Sequence, residues 1–354
     1  MNFRLLLFLL TIVILRLLFF KLPYKDGQTV RIIGQVSREV IVYDRTQQIE
    51  VAGLRMYIDR YPEVNYGDKV VVRGVVNAGK LDDAELEKIE TSQNILFTLR
   101  NKIIEFYKNS LPEPHSSLIA GVALGSKSSM PEGFWVQLKA SGTAHVVVAS
   151  GMNVTLIGGF VLNSLVNVVN RRKAIVLVLT SIWIYTLLAG FDAPIVRAAV
   201  MGSVAFSAQI FGRLNKALNA LFWSIALMLI VNPLWLTDIG FQLSTFATAS
   251  LILFETKVER LMHFVPSVIR SDLATSIAAQ IGVAPLLIFY FGSFNLLSPV
   301  INAFVLWTIP LITISGMAAG LLGLLVPFLG KMILYLIFPL STWFITIVRL
   351  ASGS

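Results

Sequence analysis

From residue 143 to its end the chain is almost continuously apolar, and its charges fall in short segments between uncharged runs. The chain of 354 residues is 56% hydrophobic and 14% charged, with a mean hydropathy of +0.75. Soluble domains carry about 25% charged residues. Backbone polar groups in lipid must be satisfied internally, which helices achieve. The pattern therefore predicts an α-helical polytopic membrane protein.

The apolar runs predict about nine membrane crossings, at roughly 20 residues for each full span. An uncleaved anchor helix is expected at residues 1–25, and a multi-helix membrane domain at 143–354. A polar amphipathic connector is expected at 255–272. The expected crossings after the anchor are residues 143–170, 174–189, 195–211, 218–231, 236–254, 273–291, two within 296–328, and 332–350.

Basic residues between these runs predict the orientation, because cytoplasmic loops are enriched in lysine and arginine. With the amino terminus in the cytoplasm, every basic cluster of the short loops falls on the cytoplasmic side. These clusters are Arg171–Lys173, then Arg213 with Lys216, then Lys257 with Arg260 and Arg270. The segment 26–95 is then extracytoplasmic, and the expected location is the inner membrane.

Residues 26–95 alternate apolar and polar residues, as in 29–36 and 69–75, with turn signals between the alternating segments. The spacing predicts a small all-β domain, an OB-like antiparallel barrel. Such a barrel could contact a single nucleic-acid strand or be purely structural, and its acidic residues nearly match its basic ones. Residues 96–142 are predicted to form an amphipathic interfacial helix and a connector.

The segment 143–170 is hydrophobic enough to insert but contains many polar side chains. On one regular helix they fall within an arc of about 160°, so they must face protein or water. This stripe predicts a water-accessible pathway, and packing between helices is the alternative. Gly151 would allow the helix to break. The residues of the polar stripe are His145, Ser150, Asn153, Asn163, Ser164, Asn167 and Asn170.

Arg197 is expected about one turn inside a membrane helix that begins near Asp192. An arginine there needs an anionic or carbonyl partner. Two interpretations are open: a structural ion pair with Asp192 or Asp238, and contact with a phosphate, which arginine suits. Gln242 follows Asp238 at the next outer helix end and could bind a passing backbone or a neighbouring helix.

Three motifs resemble the ComEC competence family. His145–Val154 is similar to the family's His-Leu-Leu-Ala-Ile-Ser-Gly-Leu-His-Val, Arg197–Met201 to its Arg-Ala-x-x-Met, and Gly240–Ser244 to its Gly-Phe-Gln-Leu-Ser. A later pattern around Gln280 and Pro285 also agrees. The motifs occur in the family's order over most of the chain.

The resemblance implies transport of single-stranded DNA across the inner membrane during natural transformation. By motif, it implies a channel core of His145, Ser150, Gly151, Arg197, Gly240, Gln242 and Ser244. Asn153 stands where the family usually has a second histidine, which puts a titrating or metal-binding role there in doubt. The expected member lacks the metallo-β-lactamase-like domain that many members carry.

Composition also bears on chemistry. The chain has no cysteine and three isolated histidines, and no P-loop motif occurs. We therefore expect no cofactor and no enzymatic activity. Strand degradation and pulling would belong to a separate DNA receptor, a nuclease and a cytoplasmic helicase or ATPase. The alternatives are a secondary transporter of a small solute and an intramembrane hydrolase using Ser150 with His145. Five residues, about 140° of helix, separate that pair.

Overall fold

The computed structural model describes residues 3–19, 24–77, 79–128, 130–147, 150–210, 217–292 and 295–353. Within these residues, a first helix, α1 (Phe3–Phe19), precedes a six-stranded sheet, and thirteen helices follow the sheet. The predicted basic cluster of Arg213 and Lys216 lies outside the described residues.

Six strands make up the amino-terminal sheet domain, which we define as residues 24–93. They lie in the order β1-β5-β6-β4-β3-β2. Alternate side chains point into one core, as in β4, where Leu54, Met56 and Ile58 are buried. This alternation is the period-2 pattern that identified the region in the sequence. The strands are β1 (Thr29–Gln35), β2 (Ile41–Val42), β3 (Thr46–Val51), β4 (Leu54–Asp59), β5 (Lys69–Asn77) and β6 (Lys80–Glu90).

The sheet departs from the predicted antiparallel barrel in two respects. Strands β4 and β6 pair in parallel, so the sheet is mixed. Strands β1 and β2 are its two edges, and one isolated bridge between Val36 and Val51 links the end of β1 to β3. The ladder therefore does not close into a complete barrel. Strands β4 and β6 were not predicted, and β6 is rich in charged residues.

Thirteen helices follow the sheet within the described residues. They are α2 (Ile95–Ser110), α3 (His115–Leu124), α4 (Glu132–Ala140), α5 (Ala144–Val147), α6 (Gly151–Leu165), α7 (Arg171–Leu188), α8 (Ala193–Ile210), α9 (Ala217–Val231), α10 (Ile239–Leu261), α11 (Ser267–Phe291), α12 (Ser298–Val305), α13 (Thr308–Leu325) and α14 (Pro327–Ser352). A short 3-10 helix, Pro233–Thr237, precedes α10.

Four helical segments are long and apolar enough to cross a membrane by length and composition. One of them, Ala144–Leu165, includes residues 148 and 149, which lie outside the described residues. Shorter apolar helices occupy three of the other regions where crossings or connectors were expected. The chain is thus mostly helical with four membrane-span candidates, and the expected count of about nine crossings stays a prediction. The four segments are Ala144–Leu165, Arg270–Tyr290, Thr308–Leu325 and Pro327–Ser352.

Two predicted segments have different local structure. Residues 143–170 are not one regular helix: α5 ends at Val147, Ser150 is extended, and α6 begins at Gly151. The polar residues there do not share the face of a single helix, which corrects the calculated arc. The predicted connector 255–272 is instead mostly the continuation of α10 and the start of α11.

Helix α2 packs against protein on its apolar side. It contacts α3, α7 and α13, and the hydroxyl of its Tyr107 donates to the Gly316 carbonyl at 2.7 Å. Its Arg100 is buried together with the apolar residues. The predicted amphipathic helix is therefore present, with Arg100 on its packed face rather than among the exposed cations. Its position in a membrane interface stays a prediction.

Candidate functional site

Arg197 lies in the second turn of α8, near the start of that helix. The backbone carbonyl of Asp192 accepts from the amides of Ile195 and Val196, and Pro194 suits the first turn because it needs no amide partner. The Arg197 residue is 5% exposed. Its Nε and Nη2 donate to the Ser244 hydroxyl on α10 at 3.1 and 2.5 Å, and its Nη1 lies 3.3 Å from the Met201 sulfur.

Of the two interpretations open for Arg197, the ion pair with Asp192 or Asp238 is not found in the described residues. Asp192 accepts from the Lys127 ammonium at 2.7 Å. Asp238 accepts from Arg38 Nη1 and Arg55 Nη2 at 2.6 and 2.8 Å. In the described part of the chain, no carboxylate lies within 4.0 Å of the Arg197 guanidinium. A hydroxyl and a thioether leave its positive charge uncompensated, which is costly for a buried ion.

The start of α6 meets α8 beside this arginine. A Cβ added at Gly151 would lie 3.3 Å from the Ala198 Cβ and 4.0 Å from Arg197 Nη2. Glycine is therefore the residue that lets the two helices approach here. The first amides of a helix carry partial positive charge and favour an anion. Arg197, Ser244 and the α6 start together form what we call the anion site, and Ser150 directly precedes it.

Asn153 is buried and holds α6 against other helices. Its side-chain amide donates to the Val122 carbonyl of α3 at 2.8 Å. Its Oδ1 lies 3.5 Å from the Thr313 hydroxyl of α13. The side chain therefore points into protein, and it fixes the helix whose first residue, Gly151, approaches Arg197.

Three other predicted site residues lie on the surface, apart from the anion site. His145 on α5, Asn163 on α6 and Asn167 in the turn after α6 are exposed. Asn163 is twelve residues beyond Gly151, about 18 Å along the helix. The structure thus separates the predicted polar stripe into an inward residue and outward ones. Their roles in a pathway stay predictions.

Gln242 lies on α10, two residues before Ser244. Its side-chain amide donates to the Leu236 carbonyl at 2.8 Å, and its Oε1 accepts from the Tyr290 hydroxyl at 2.8 Å. It is only partly buried. Its hydrogen bonds join α10 to α11 and to the preceding 3-10 helix. Of the two predicted roles of Gln242, the structure therefore contains the contact with a neighbouring helix.

Sequence reasoning missed a layer of buried ion pairs between the sheet domain and the helices. Glu39 accepts from Arg100 at 2.5 Å, and their side chains are 2% and 3% exposed. Glu39 also accepts from the Ser126 hydroxyl and the Lys127 amide, at 3.1 and 3.3 Å. The Asp238 carboxylate, besides its two arginines, accepts from the Phe241 amide and so caps α10. No local motif signals these pairs, because their members are far apart in sequence.

Burial and the neighbouring carboxylates set the charge state of the cations in this layer. Burial lowers the pKa of Arg38, but the carboxylates of Glu50 and Asp238 outweigh it, so the pKa of Arg38 is raised. Burial likewise opposes the charge on Lys127, and Asp192 outweighs it, so the pKa of Lys127 is also raised. Both side chains therefore stay cationic at neutral pH.

The sheet domain also presents exposed tyrosines that could not be identified from the sequence. The rings of Tyr43 and Tyr57 lie 6.1 Å apart, and the Arg60 guanidinium lies 5.6 Å from the Tyr61 ring centre. All three tyrosines are more than 40% exposed. Aromatic surfaces of this kind can stack on bases, but Asp44, Asp59 and Glu63 are close in sequence to them.

Metal ligands do not cluster in the part of the chain that the structure describes. No group of three or more histidine, aspartate or glutamate side chains there could hold a metal ion. The groups available at the anion site are a guanidinium, a hydroxyl and backbone amides. These groups bind anions, and they provide no general base.

The described residues thus form a mostly helical protein with four membrane-span candidates and a buried arginine whose hydrogen-bond partners are neutral. This chain belongs to the competence protein family: the family model described as Competence protein matches residues 122–354, more than half of the chain. The resemblance seen in the sequence motifs is therefore confirmed, and the anion site lies within the matched region.

Two relatives support the assignment. The chain is 25% identical over 228 residues to ComE operon protein 3 of Bacillus subtilis (strain 168), covering 64% of this chain and 29% of that protein. It is 29% identical over 227 residues to Competence protein ComA of Neisseria gonorrhoeae, covering 60% of this chain and 30% of that protein. The aligned region thus spans less than a third of either relative. No solved structure matches the chain.

Proposed function

We propose that this chain conducts single-stranded DNA across the inner membrane during natural transformation. The observation that carries the proposal is Arg197, a buried cation whose partners in the protein are neutral. A DNA backbone supplies one negative charge per nucleotide, so successive phosphates can replace one another at this arginine. Membership of the competence protein family supports the same conclusion.

Each predicted site residue has a proposed place in this function. Arg197, Ser244 and the α6 start at Gly151 contact phosphate, and Asn153 holds α6 in position. Ser150 and Gln242 lie beside this contact on α6 and α10. His145, Asn163 and Asn167 line the continuation of the pathway. The chain acts as a conduit rather than an enzyme and needs no cofactor.

The proposed orientation puts the sheet domain, an OB-like domain, outside the cytoplasm, with the amino terminus inside. The structure supports it, because the sheet domain contacts the ends of helices that the basic clusters predict to be external. Glu39 lies beside Gly190 at the end of α7, and Arg171 begins that helix at the opposite end. Eighteen helical residues span about 27 Å, close to the thickness of a bilayer core.

Proposed partners follow from what the anion site lacks. A conduit for one strand needs other proteins to present and degrade the DNA and to pull the strand. We assign these tasks to a DNA receptor, a nuclease and a cytoplasmic helicase or ATPase. The exposed face at Tyr43 and Tyr57 is a second, weaker place for the strand to make contact.

A small-solute transporter is the alternative, favoured by the interrupted helix at Ser150 beside a cation. The two functions differ in ligand size. Arg197→Gln should reduce import of labelled DNA at unchanged membrane abundance, and Arg197→Lys should reduce it less, because lysine keeps the charge and loses the guanidinium fork. In Arg197→Gln, the oligonucleotide affinity should also depend less steeply on salt concentration, by about one phosphate contact.

Normal DNA import by Arg197→Gln at normal abundance would overturn the proposed phosphate contact. Binding of inorganic phosphate or a small organic anion with no binding of an oligonucleotide would favour the transporter. Arg45→Gln is a matched control, because Arg45 is an exposed arginine of the sheet domain.

A further inference from the structure

Two carboxylates lie at the helix starts that carry the anion site, and each is paired with a cation from elsewhere. Asp192 directly precedes α8, which carries Arg197, and it pairs with Lys127. Asp238 caps α10, which carries Ser244, and it pairs with Arg38 and Arg55 of the sheet domain. Neither carboxylate pairs with Arg197, although Asp192 directly precedes α8 and Asp238 directly precedes α10.

The carboxylates precede the two helices that carry Arg197 and Ser244. A Cβ at Gly240 would lie 3.1 Å from Asp238 Oδ1 and 3.7 Å from Pro194 Cδ, so the start of α10 packs on the first turn of α8. Ser244, which accepts from Arg197, is six residues beyond Asp238, about 9 Å along α10. Asp192 is five residues before Arg197. Charges that are buried in protein are only weakly screened by salt.

The ion-pair layer as a whole is neutral. It contains four cations and four carboxylates, with the Arg197 charge outside this balance. Removing Lys127, or Arg38 with Arg55, would therefore leave an unpaired carboxylate at the start of α8 or α10. The cations are Arg38, Arg55, Arg100 and Lys127, and the carboxylates are Glu39, Glu50, Asp192 and Asp238.

We propose that Arg38, Arg55 and Lys127 are specificity-determining residues for the anion site. By neutralising Asp238 and Asp192, they keep the positive charge of Arg197 available to an anionic ligand. The inference rests on the proposed function, because it concerns the same arginine and the same phosphate-bearing strand. It assigns the sheet domain a role in ligand selection through two of its arginines, without contact between those arginines and the ligand.

The test measures binding of a fluorescent single-stranded oligonucleotide to the purified full chain in lipid nanodiscs. Arg38→Gln combined with Arg55→Gln leaves the carboxylates of Asp238 and Glu50 unpaired, and Asp238 is the one at the start of α10. The affinity should fall on the order of tenfold, the effect of about 1.4 kcal/mol of lost attraction. Arg38→Lys with Arg55→Lys should keep most of the affinity, because the charges remain.

Adding Asp238→Asn to the double glutamine variant separates charge from structure. Asparagine is as good a helix cap as aspartate, and it carries no charge to compete for Arg197. If the arginines act through charge, the triple variant should recover affinity to within about threefold of the parent. If they only hold the sheet domain in place, the triple variant should bind as poorly as the double variant or worse.

Lys127 provides a second, independent pair. Lys127→Gln should weaken oligonucleotide binding, and Lys127→Gln with Asp192→Asn should restore it. These two Lys127 variants test the proposal if the arginine variants do not reach the membrane. Arg45→Gln is the control, and its binding should match the parent.

Arg197→Gln, measured in parallel, distinguishes two kinds of failure. Unchanged binding by Arg197→Gln would refute the proposed anion site, and the inference would fall with it. If Arg197→Gln weakens binding while the double glutamine variant binds normally, the inference alone fails. It also fails if neither neutralising substitution, Asp238→Asn or Asp192→Asn, restores binding.

Discussion

Replacing Arg197 with methionine tests whether the protein compensates its charge. An arginine costs about 2.5–3.5 kcal/mol at the centre of a membrane helix and less near the helix start, where Arg197 lies. A hydrogen bond to a charged group returns about 1.5–3 kcal/mol. Arg197 is 5% exposed and donates to the hydroxyl of Ser244. The net cost of the arginine is then about 0–2 kcal/mol. We expect Arg197→Met to be as stable as the parent, or more stable by up to about 2 kcal/mol.

Arg100→Met is the matched control, because Arg100 is equally buried but ion-paired. Its Nη2 contacts Glu39 Oε2 at 2.5 Å, and its Nε donates to the Leu188 carbonyl at 2.7 Å. Removing one partner of a buried pair costs about 3–5 kcal/mol, because the other charge is left unpaired. The two methionine variants should therefore differ by at least about 3 kcal/mol in the free energy of unfolding.

Both variants can be compared by denaturant unfolding of the purified full chain in lipid nanodiscs, followed by tryptophan fluorescence. The expected order of stability is Arg197→Met, equal to or above the parent, and then Arg100→Met, well below it. An equal loss of stability in the two variants would show that Arg197 has an anionic partner within the protein. That result would remove the physical reason for a phosphate at this site.

The remaining predictions concern orientation and the outward polar residues. The chain has no cysteine, so a cysteine introduced at Lys80 should react with an impermeant maleimide in intact cells, and one at Lys173 should not; reversed labelling would invert the proposed topology. Substituting both Asn163 and Asn167 with leucine should abolish DNA import without reducing membrane abundance. Normal import by that variant would place both residues outside the pathway.

Hydrophobic patterning predicted the helical character and the sheet domain, because burial and periodicity leave a direct record in the sequence. The cost of an arginine inside a membrane helix likewise pointed to Arg197. The break before Gly151 was anticipated as a possibility, since glycine permits it. These features depend on a residue and its near neighbours.

Partner identity could not be predicted in the same way. Arg38 and Asp238 are 200 residues apart, and Glu39 and Arg100 are 61 apart, so only the fold brings them together. Asp192 was proposed as an acceptor for Arg197 because it is close along the chain, and Asp238 because it lies at the next outer helix end. Both are paired with other cations. Charge and spacing predicted that a partner was needed but not which group would serve.

Tertiary contacts also explain why residues 255–272 are helical ends rather than a separate connector. Glu255 of α10 accepts from the Thr275 hydroxyl of α11 at 2.5 Å. Arg270 donates to the carbonyls of His263 and Val265 at 2.8 and 2.9 Å. These bonds satisfy charged side chains near the turn between the two helices. Both helices therefore extend into the polar segment 255–272, which was predicted to be a connector.

The neutrality of the Arg197 partners bears directly on how a strand could move. A carboxylate fixed beside the guanidinium would compete with every incoming phosphate at a high effective concentration, and the arginine would then serve only the fold. A hydroxyl orients the guanidinium without neutralising it, so the arginine attracts a phosphate and can release it to the next. Transport requires this balance between attraction and release. In the proposed function, the pairing of Asp192 and Asp238 with other cations maintains this balance.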